Sequence, residues 1–430
     1  MTELLNANLE IINQRWPILA SALKCASIEH LDANLVTGHN QTISVNGIQL
    51  SSRYDRIAEA QLFINQLPLD CTHVTVYGVG MGDVTSLLID DKKMKKIDVC
   101  PLNLNLFKLL LSYTDQAEWL IDNRISIVEL SKQAHIPDSY IAITSDLHLA
   151  DNENARLRDL LVLENNREYA NKRHQADDPK LIARFNENRK YLVKDPDAAT
   201  LRLTHTQHHT LVIGSGPTLE NHYDYLIAQR ALPIGQRPLM IAVDTALKAL
   251  SSQSITPDIL VCIDQQITLS YLPENIPQSV TLIYFPRIHP SIIDHWPGPR
   301  FNAYSKGAIY DTLDAELPKL RLFTSGSVIH PAIDFAAYLN SCEITLFGCD
   351  FSYPYNKTHA FWKDSSLGIK AENAKHWVIN GHGERVATDL NFRAYLRSLE
   401  HYIRFKPQIK FYQSSLDGAR IHGAQYRECK

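Results

Sequence analysis

No stretch of this chain approaches 18 consecutive apolar residues free of charge, which excludes a helix crossing a bilayer. The start, Met1-Thr-Glu-Leu-Leu-Asn6, has neither the basic nor the apolar segment of a secretory leader. Cysteine is sparse and unpatterned. The seven are Cys25, Cys71, Cys100, Cys262, Cys342, Cys349 and Cys429, an odd number with no C-x-x-C pair. That excludes a disulfide framework and a zinc knuckle, and it sets the expectation of a reducing cytoplasm. A surplus of one charge is missing too. Lys+Arg number 43 against 47 Asp+Glu, a net charge of -4, so the electrostatic footprint of a nucleic-acid binder is lacking. Repeats and low-complexity tracts are absent. What is present is ordinary globular composition, 45% hydrophobic and 21% charged. The 430 residues suffice for two or three domains, each with its own core.

Three regions differ in texture, and together they predict an α/β protein. Residues 1–150 open with helical patterning from Leu4 to Ala22. A strand at His73–Tyr77, the turn Gly78-Val-Gly80-Met-Gly82 and a helix from Asp83 follow. Further strands at Lys96–Cys100 and Arg124–Val128 flank a helical run over Leu104–Tyr113. This alternation predicts a Rossmann-like N-terminal domain. Residues 151–199 are dense in charge and lack strand runs. Helical spacing from Arg156 and again over Lys180–Tyr191 reads as a solvated helical connector. Residues 200–430 carry apolar strands at His209–Ile213, Leu239–Val243, Asp258–Ile263, Val280–Phe285 and Glu343–Phe347. They predict a doubly wound catalytic sheet domain with a C-terminal helical segment.

Ligands of open α/β sheets bind beyond the carboxyl ends of the strands. Those ends carry Gly214-Ser215-Gly216-Pro217-Thr218, Asp244-Thr245, Asp264-Gln-Gln266, Pro286-Arg287 with His289, Thr324-Ser325-Gly326-Ser327 and Gly348-Cys-Asp350. So much Gly, hydroxyl and carboxylate predicts one polar crevice. Gly214 and Gly216 allow close backbone approach, and Pro217 suits the first turn of a helix, whose N–H groups would face a phosphate or ribose. The same turn also serves with no ligand. The Thr324–Ser327 loop repeats the device, as a second nucleotide contact or as a helix cap alone.

Tyr353, Tyr355 and His359 are donors suited to a phosphate oxygen. His382, between Gly381 and Gly383, is expected in an exposed loop, as a base or as a structural histidine. Asp244, Asp264 and Asp350 lie on different strands, and the one Asp-x-Asp, Asp195-Pro-Asp197, falls in the connector. No metal site is therefore assigned. His205, His208 and His209 read as surface. The Gly78–Gly82 turn invites a dinucleotide or S-adenosylmethionine, but the next strand places Asp98 inside and Cys100-Pro101 at its tip. A Rossmann-like domain with no working cofactor stands beside that reading.

The ordered series Gly214-Ser-Gly-Pro-Thr-Leu219, Ala242-Val-Asp244, Thr256-Pro-Asp through Asp264, Gly326-Ser-Val328, Gly348-Cys-Asp-Phe-Ser-Tyr353 and Lys357-Thr-His-Ala360 resembles the motility-associated factor (Maf) flagellin glycosyltransferases. These share a domain with hydroxymethylpterin pyrophosphokinase MptE-like proteins. Ser51-Ser-Arg-Tyr-Asp55 and Gly78–Gly82 extend the resemblance to the front of the chain. Thr324-Ser-Gly326, Gly348–Phe351 and Gly381-His382 are similar to segments of bacterial sialyltransferases that use CMP-sialic acid.

The resemblance implies a metal-independent, inverting transfer of a nonulosonic acid (pseudaminic, legionaminic or sialic type) from its CMP ester to Ser or Thr of flagellin. It implies no cofactor and no nucleic-acid or membrane partner. Nucleotide binding falls to Gly214, Ser215, Gly216, Pro217, Asp244, Thr245, Asp264, Thr324, Ser325, Gly326, Ser327 and Asp350. Tyr353 and His359 are expected at the leaving phosphate. His382 is the expected base, with His359 second. The alternatives are a pterin pyrophosphokinase with Asp244, Asp264 and Asp350 on Mg²⁺, a methyltransferase through Gly78–Gly82, and a non-catalytic flagellin-binding factor.

Overall fold

Pro17 breaks the expected run over 4–22 into two helices, Glu3–Arg15 and Pro17–Cys25, because a proline inside would remove a helical hydrogen bond. These open the computed structural model, which describes residues 2–128, 136–165, 178–203, 208–362 and 371–429. The chain divides into two compact units, Met1–Asn165 and Asn166–Lys430.

In the first unit, β1 (Ala33–Thr37), β2 (Gln41–Val45) and β3 (Ile48–Gln49) form an antiparallel meander that the sequence did not signal. β1 is largely exposed, so it lacks an apolar alternation. β4 (His73–Tyr77), β5 (Lys96–Cys100), β6 (Ile125–Ile127) and β7 (Tyr140–Ala142) make a parallel sheet in the order β6-β5-β4-β7. Four consecutive buried residues in β4 and in β5 reflect burial on both faces.

The second unit is built on an eight-stranded parallel sheet. Its strands are β8 (His209–Ile213), β9 (Leu239–Val243), β10 (Ile259–Cys262), β11 (Thr281–Tyr284) and β12 (Arg300–Asn302), then β15 (Glu343–Phe347), β18 (Lys410–Gln413) and β19 (Ala424–Tyr426), in the order β12-β11-β10-β9-β8-β15-β18-β19. The chain thus starts at β8, steps outward to β12, and returns to the other side of β8 at β15. The switch in winding lies between β8 and β15. Between β12 and β15, β13 (Tyr304–Ser305) and β14 (Arg321–Leu322) form a separate parallel pair. β16 (His376–Ile379) and β17 (Arg385–Thr388) form a hairpin.

Two expectations are corrected here. The helix Pro179–Lys194 is capped by Asp178 and buries Leu181, Phe185, Tyr191 and Leu192 in the core of the second unit. Its charges occupy only its outer side, so it is a core helix and not a solvated connector. The C-terminal segment is not only helical: after the helix Leu390–Arg404 it supplies β18 and β19 to the main sheet. Among the described residues no helix is long and apolar enough to cross a membrane, and the seven cysteines are free thiols.

Candidate functional site

The two loops at the switch point lock into each other. The Gly214 N–H donates to the Phe347 carbonyl at 2.8 Å and the Gly216 N–H to the Gly348 carbonyl at 2.8 Å. A Cβ on Gly214 would stand 2.6 Å from the Gly348 carbonyl oxygen, and one on Gly348 would stand 2.6 Å from that of Gly214. Thr218 donates its N–H to Asp350 Oδ2 at 2.9 Å and its hydroxyl to Oδ1 at 2.5 Å. Pro217 opens a six-residue 3-10 turn, Pro217–His222. The loop therefore differs from the expected phosphate cradle: the N–H groups of 214, 216 and 218 are spent inside the protein. Asp350 is buried, and burial pushes its carboxyl up to about 6. Its place is beneath the loop, holding it in shape.

That lock continues along the chain. Asn221 Nδ2 donates to the Tyr355 hydroxyl at 2.9 Å, Lys357 Nζ to Glu220 Oε1 at 2.5 Å, the Phe361 N–H to the same oxygen at 2.6 Å, and the Ala360 N–H to the Ser215 carbonyl at 2.8 Å. Residues 350–361 are thus zipped onto residues 215–221. This brings His359 beside the Ser215 corner. There Thr245 Oγ1 donates to Ser215 Oγ at 2.9 Å, and Trp362 Nε1 donates to the Thr245 carbonyl at 3.1 Å.

Next to that corner the Thr245 N–H holds Asp244 Oδ1 at 2.8 Å, while the buried Asp244 Oδ2 has no hydrogen-bond partner among the described residues. Burial pushes this carboxyl up to about 6, with the charge of Asp264 adding to the effect. Asp264 is exposed and accepts from the Gln266 N–H at 2.9 Å. The ring of Tyr395, from the helix Leu390–Arg404, lies so close against Gly326 that a Cβ there would clash with it, and burial raises the Tyr395 phenol, with the charge of Asp264 adding to the effect. Tyr395 thus packs on the Thr324–Ser327 loop, and its carbonyl faces His330 Nε2 at 3.0 Å. Thr324 bonds Ser305, Ser325 Oγ donates to Ser398 Oγ at 2.8 Å, and the Ser327 carbonyl accepts from the His330 N–H at 3.3 Å. This loop follows β14 of the separate pair, so the two glycine loops do not share one sheet edge.

The expected catalytic residues separate. Tyr353 is buried and gives its hydroxyl to Asp389, which leaves it a pillar under the hairpin. His359 is half-buried, its Nδ1 has no partner among the described residues, and burial pushes its imidazole down to about 4. It is therefore neutral at physiological pH, a neutral rather than a cationic donor. Since an unfolded histidine protonates near 6.5, the unfolded state holds more protons between that value and about 4. The fold accordingly loses stability as pH falls through this window. His359→Gln is expected to gain roughly 2 kcal/mol over the parent on going from pH 7.5 to 4.5, read by urea denaturation at both values. A parent–variant difference independent of pH contradicts a neutral buried imidazole.

His382 sits in the turn between β16 and β17, exposed as expected, and its Nε2 lies 3.0 Å from Asp417 Oδ1. Asp417 Oδ2 accepts from the Tyr355 hydroxyl at 2.5 Å. Tyr355 and His382 together hold the Asp417 carboxyl below its usual range. The sequence reading missed Asp417. It lies four residues past β18, a strand whose alternating Lys-Phe-Tyr-Gln did not stand out as apolar. Because all pairings in this sheet are parallel, the His382–Asp417–Tyr355 array and the Ser215–Thr245 corner occupy the same carboxyl edge.

Other sequence candidates do not converge. His209 on β8 bonds Thr345 Oγ1 at 2.9 Å, His208 faces Cys342, and His205 lies outside the described residues. In the first unit, Asp146 plugs the glycine turn. Its carboxylate accepts from the Val79 N–H at 2.8 Å and the Gly80 N–H at 3.0 Å, so donors that a pyrophosphate would use are filled from within. Asp98 pairs with His73 and Lys96 inside β5, away from the strand tip.

Residues 183–356 match the family model described as 6-hydroxymethylpterin diphosphokinase MptE-like. The match begins within the helix Pro179–Lys194 and runs through β15 to the zipped segment, so the second unit carries an MptE-like domain over those residues. Among solved structures, the chain is similar to the MAf glycosyltransferase from Magnetospirillum magneticum AMB-1, at 16% identity and a TM-score of 0.47, over 99% of this chain and 74% of that one. No curated protein matches the chain.

Proposed function

We propose that this chain is a cytoplasmic glycosyltransferase that moves a nonulosonic acid from its CMP ester to Ser or Thr hydroxyls of flagellin, without a cofactor. The observation that carries the proposal is the His382–Asp417 pair on the sheet edge that also holds the Ser215–Thr245 corner. With Nε2–H donated to Asp417, the imidazole keeps Nδ1 as a base, and the carboxylate stabilises the imidazolium formed when it takes a proton. The acceptor oxygen then bonds the anomeric carbon while the bond from that carbon to the CMP phosphate oxygen breaks. The electron pair leaves with CMP, and the hydroxyl proton ends on His382. The hydroxyls of Ser215 and Thr245 and the free Asp244 Oδ2 suit ribose or cytosine groups. The motif series and the MptE-like match over residues 183–356 support the same reading.

A second reading, diphosphokinase chemistry of the kind named for the matched family, draws on Asp244 and Asp264 at adjacent strand ends. It needs ATP and Mg²⁺, with these two acids as the ligands left over, since Asp350 is held by Thr218. Isothermal titration separates the two. The parent is expected to bind CMP, and the double variant Ser215→Ala, Thr245→Val to bind it about tenfold more weakly, as for two lost hydroxyl contacts. Tight binding of Mg²⁺–ATP with no affinity for CMP contradicts the transferase.

A further inference from the structure

An aromatic wall stands beside the Ser215–Thr245 corner, built from three segments. Trp362 ends the zipped segment and donates Nε1 to the Thr245 carbonyl at 3.1 Å. Tyr271 closes the 3-10 turn Leu269–Tyr271 after β10, and its ring centroid lies 5.7 Å from that of Trp362. Lys248 belongs to the helix Leu247–Ser252 after β9. Its Nζ lies 5.0 Å from the centroid of the Trp362 ring and donates to the Ser270 carbonyl at 2.7 Å, which ties the turn to the indole. Phe361 completes the wall, edge-on to Trp362 with centroids 6.0 Å apart at 89°.

Phe361 is the unusual member. It is 48% exposed, so little apolar burial offsets its position. Its φ of +67° is left-handed, a costly conformation for a bulky side chain. Yet the backbone is clamped there. The Phe361 N–H donates to Glu220 Oε1 at 2.6 Å, and the Ala360 N–H to the Ser215 carbonyl at 2.8 Å. A strained backbone that holds a phenyl ring out toward solvent points to a ring that meets a ligand.

Strand order fixes which end of a donor nucleotide reaches this wall. Along the sheet the strands run β10, β9, β8, β15, β18. Tyr271 follows β10, the corner lies after β8 and β9, and Asp417 with His382 lies past β18. The anomeric carbon must face His382, so the sugar runs from the corner toward β18, two strands or roughly 10 Å from β8. The nucleobase, at the opposite end of the molecule, falls on the β10 side. Ribose suits the corner hydroxyls, and a flat base with a π-face suits an aromatic wall.

We infer that Phe361 and Trp362 form a stacking subsite for the pyrimidine base of the donor nucleotide. The orientation rests on the transferase reading. The test is isothermal titration of the full chain with CMP, ATP and ribose 5-phosphate, for the parent, F361L and F361Y. F361L keeps an apolar side chain but removes the ring, and F361Y keeps the ring. The parent is expected to bind CMP at least about tenfold more tightly than ribose 5-phosphate. F361L is expected to weaken CMP by about 5- to 100-fold while ribose 5-phosphate stays within about twofold, with F361Y titrating like the parent. If the parent binds ATP but no CMP, and F361L alone weakens ATP, the stacking subsite stands and the transferase reading falls. F361L binding both nucleotides as the parent does overturns the subsite. In that case loss of flagellin capture by F361L would give the wall to the protein acceptor instead.

Discussion

Gly348→Ala is expected to cost the second unit about 3 kcal/mol or more and to unfold it where the parent is intact. Gly348 holds φ at +57°, and its added Cβ would stand 2.6 Å from the Gly214 carbonyl oxygen and 3.0 Å from Leu219 Cβ. The nearest obstacle is backbone. It belongs to the loop leaving β8, and β8 and β15 are paired neighbours at the centre of the sheet. Relief therefore requires the central strands to part. Gly383→Ala provides the comparison. Its φ of +86° is as unfavourable, but nothing stands within 4 Å of the added carbon, so only the backbone term of about 1 kcal/mol is expected. Denaturant unfolding of both variants reads the difference. Equal losses would show that the interlocked loops carry no special strain.

His382→Ala is expected to lower transfer by about 10²- to 10⁴-fold, the range for loss of a general base, while leaving the unfolding midpoint near that of the parent. The residue is exposed at a hairpin turn and contributes no core contact. Asp417→Asn should fall between parent and His382→Ala, because the imidazole remains but loses the acceptor that orients it and stabilises its charged form. Single-turnover rates with CMP-sugar and flagellin separate these effects from binding. Full activity in His382→Ala would move the base elsewhere, with His359 next, already neutral and next to Ala360, which bonds the Ser215 carbonyl.

Five strands of the main sheet were legible because parallel strands buried on both faces read as apolar runs. The edge strands β12 and β19, and β18 beside β19, were not, since they are short and only partly buried. The chemistry followed the same division. The residues after each legible strand were found, and so the Ser215–Thr245 corner, Asp244 and Asp264 were named from sequence. Asp417 and Tyr395 were missed, one behind an illegible strand and the other on a helix face that only packing brings to the Thr324–Ser327 loop. Glycines were located correctly, but their purpose was hidden. Gly214 and Gly216 read as making room for a ligand, whereas the room is taken by the loop after β15. In the first unit the same ambiguity held, and Asp146, more than sixty residues downstream, fills the space.

The measurement that bears most directly on the transferase is the intact mass of flagellin co-expressed with this chain and a CMP-nonulosonate pathway, against a culture lacking the chain and one carrying His382→Ala. The account predicts mass increments of whole nonulosonic acid residues on flagellin with the parent, and unmodified flagellin in both controls. Flagellin of identical mass in all three cultures, with the CMP-sugar shown to be present, would contradict it.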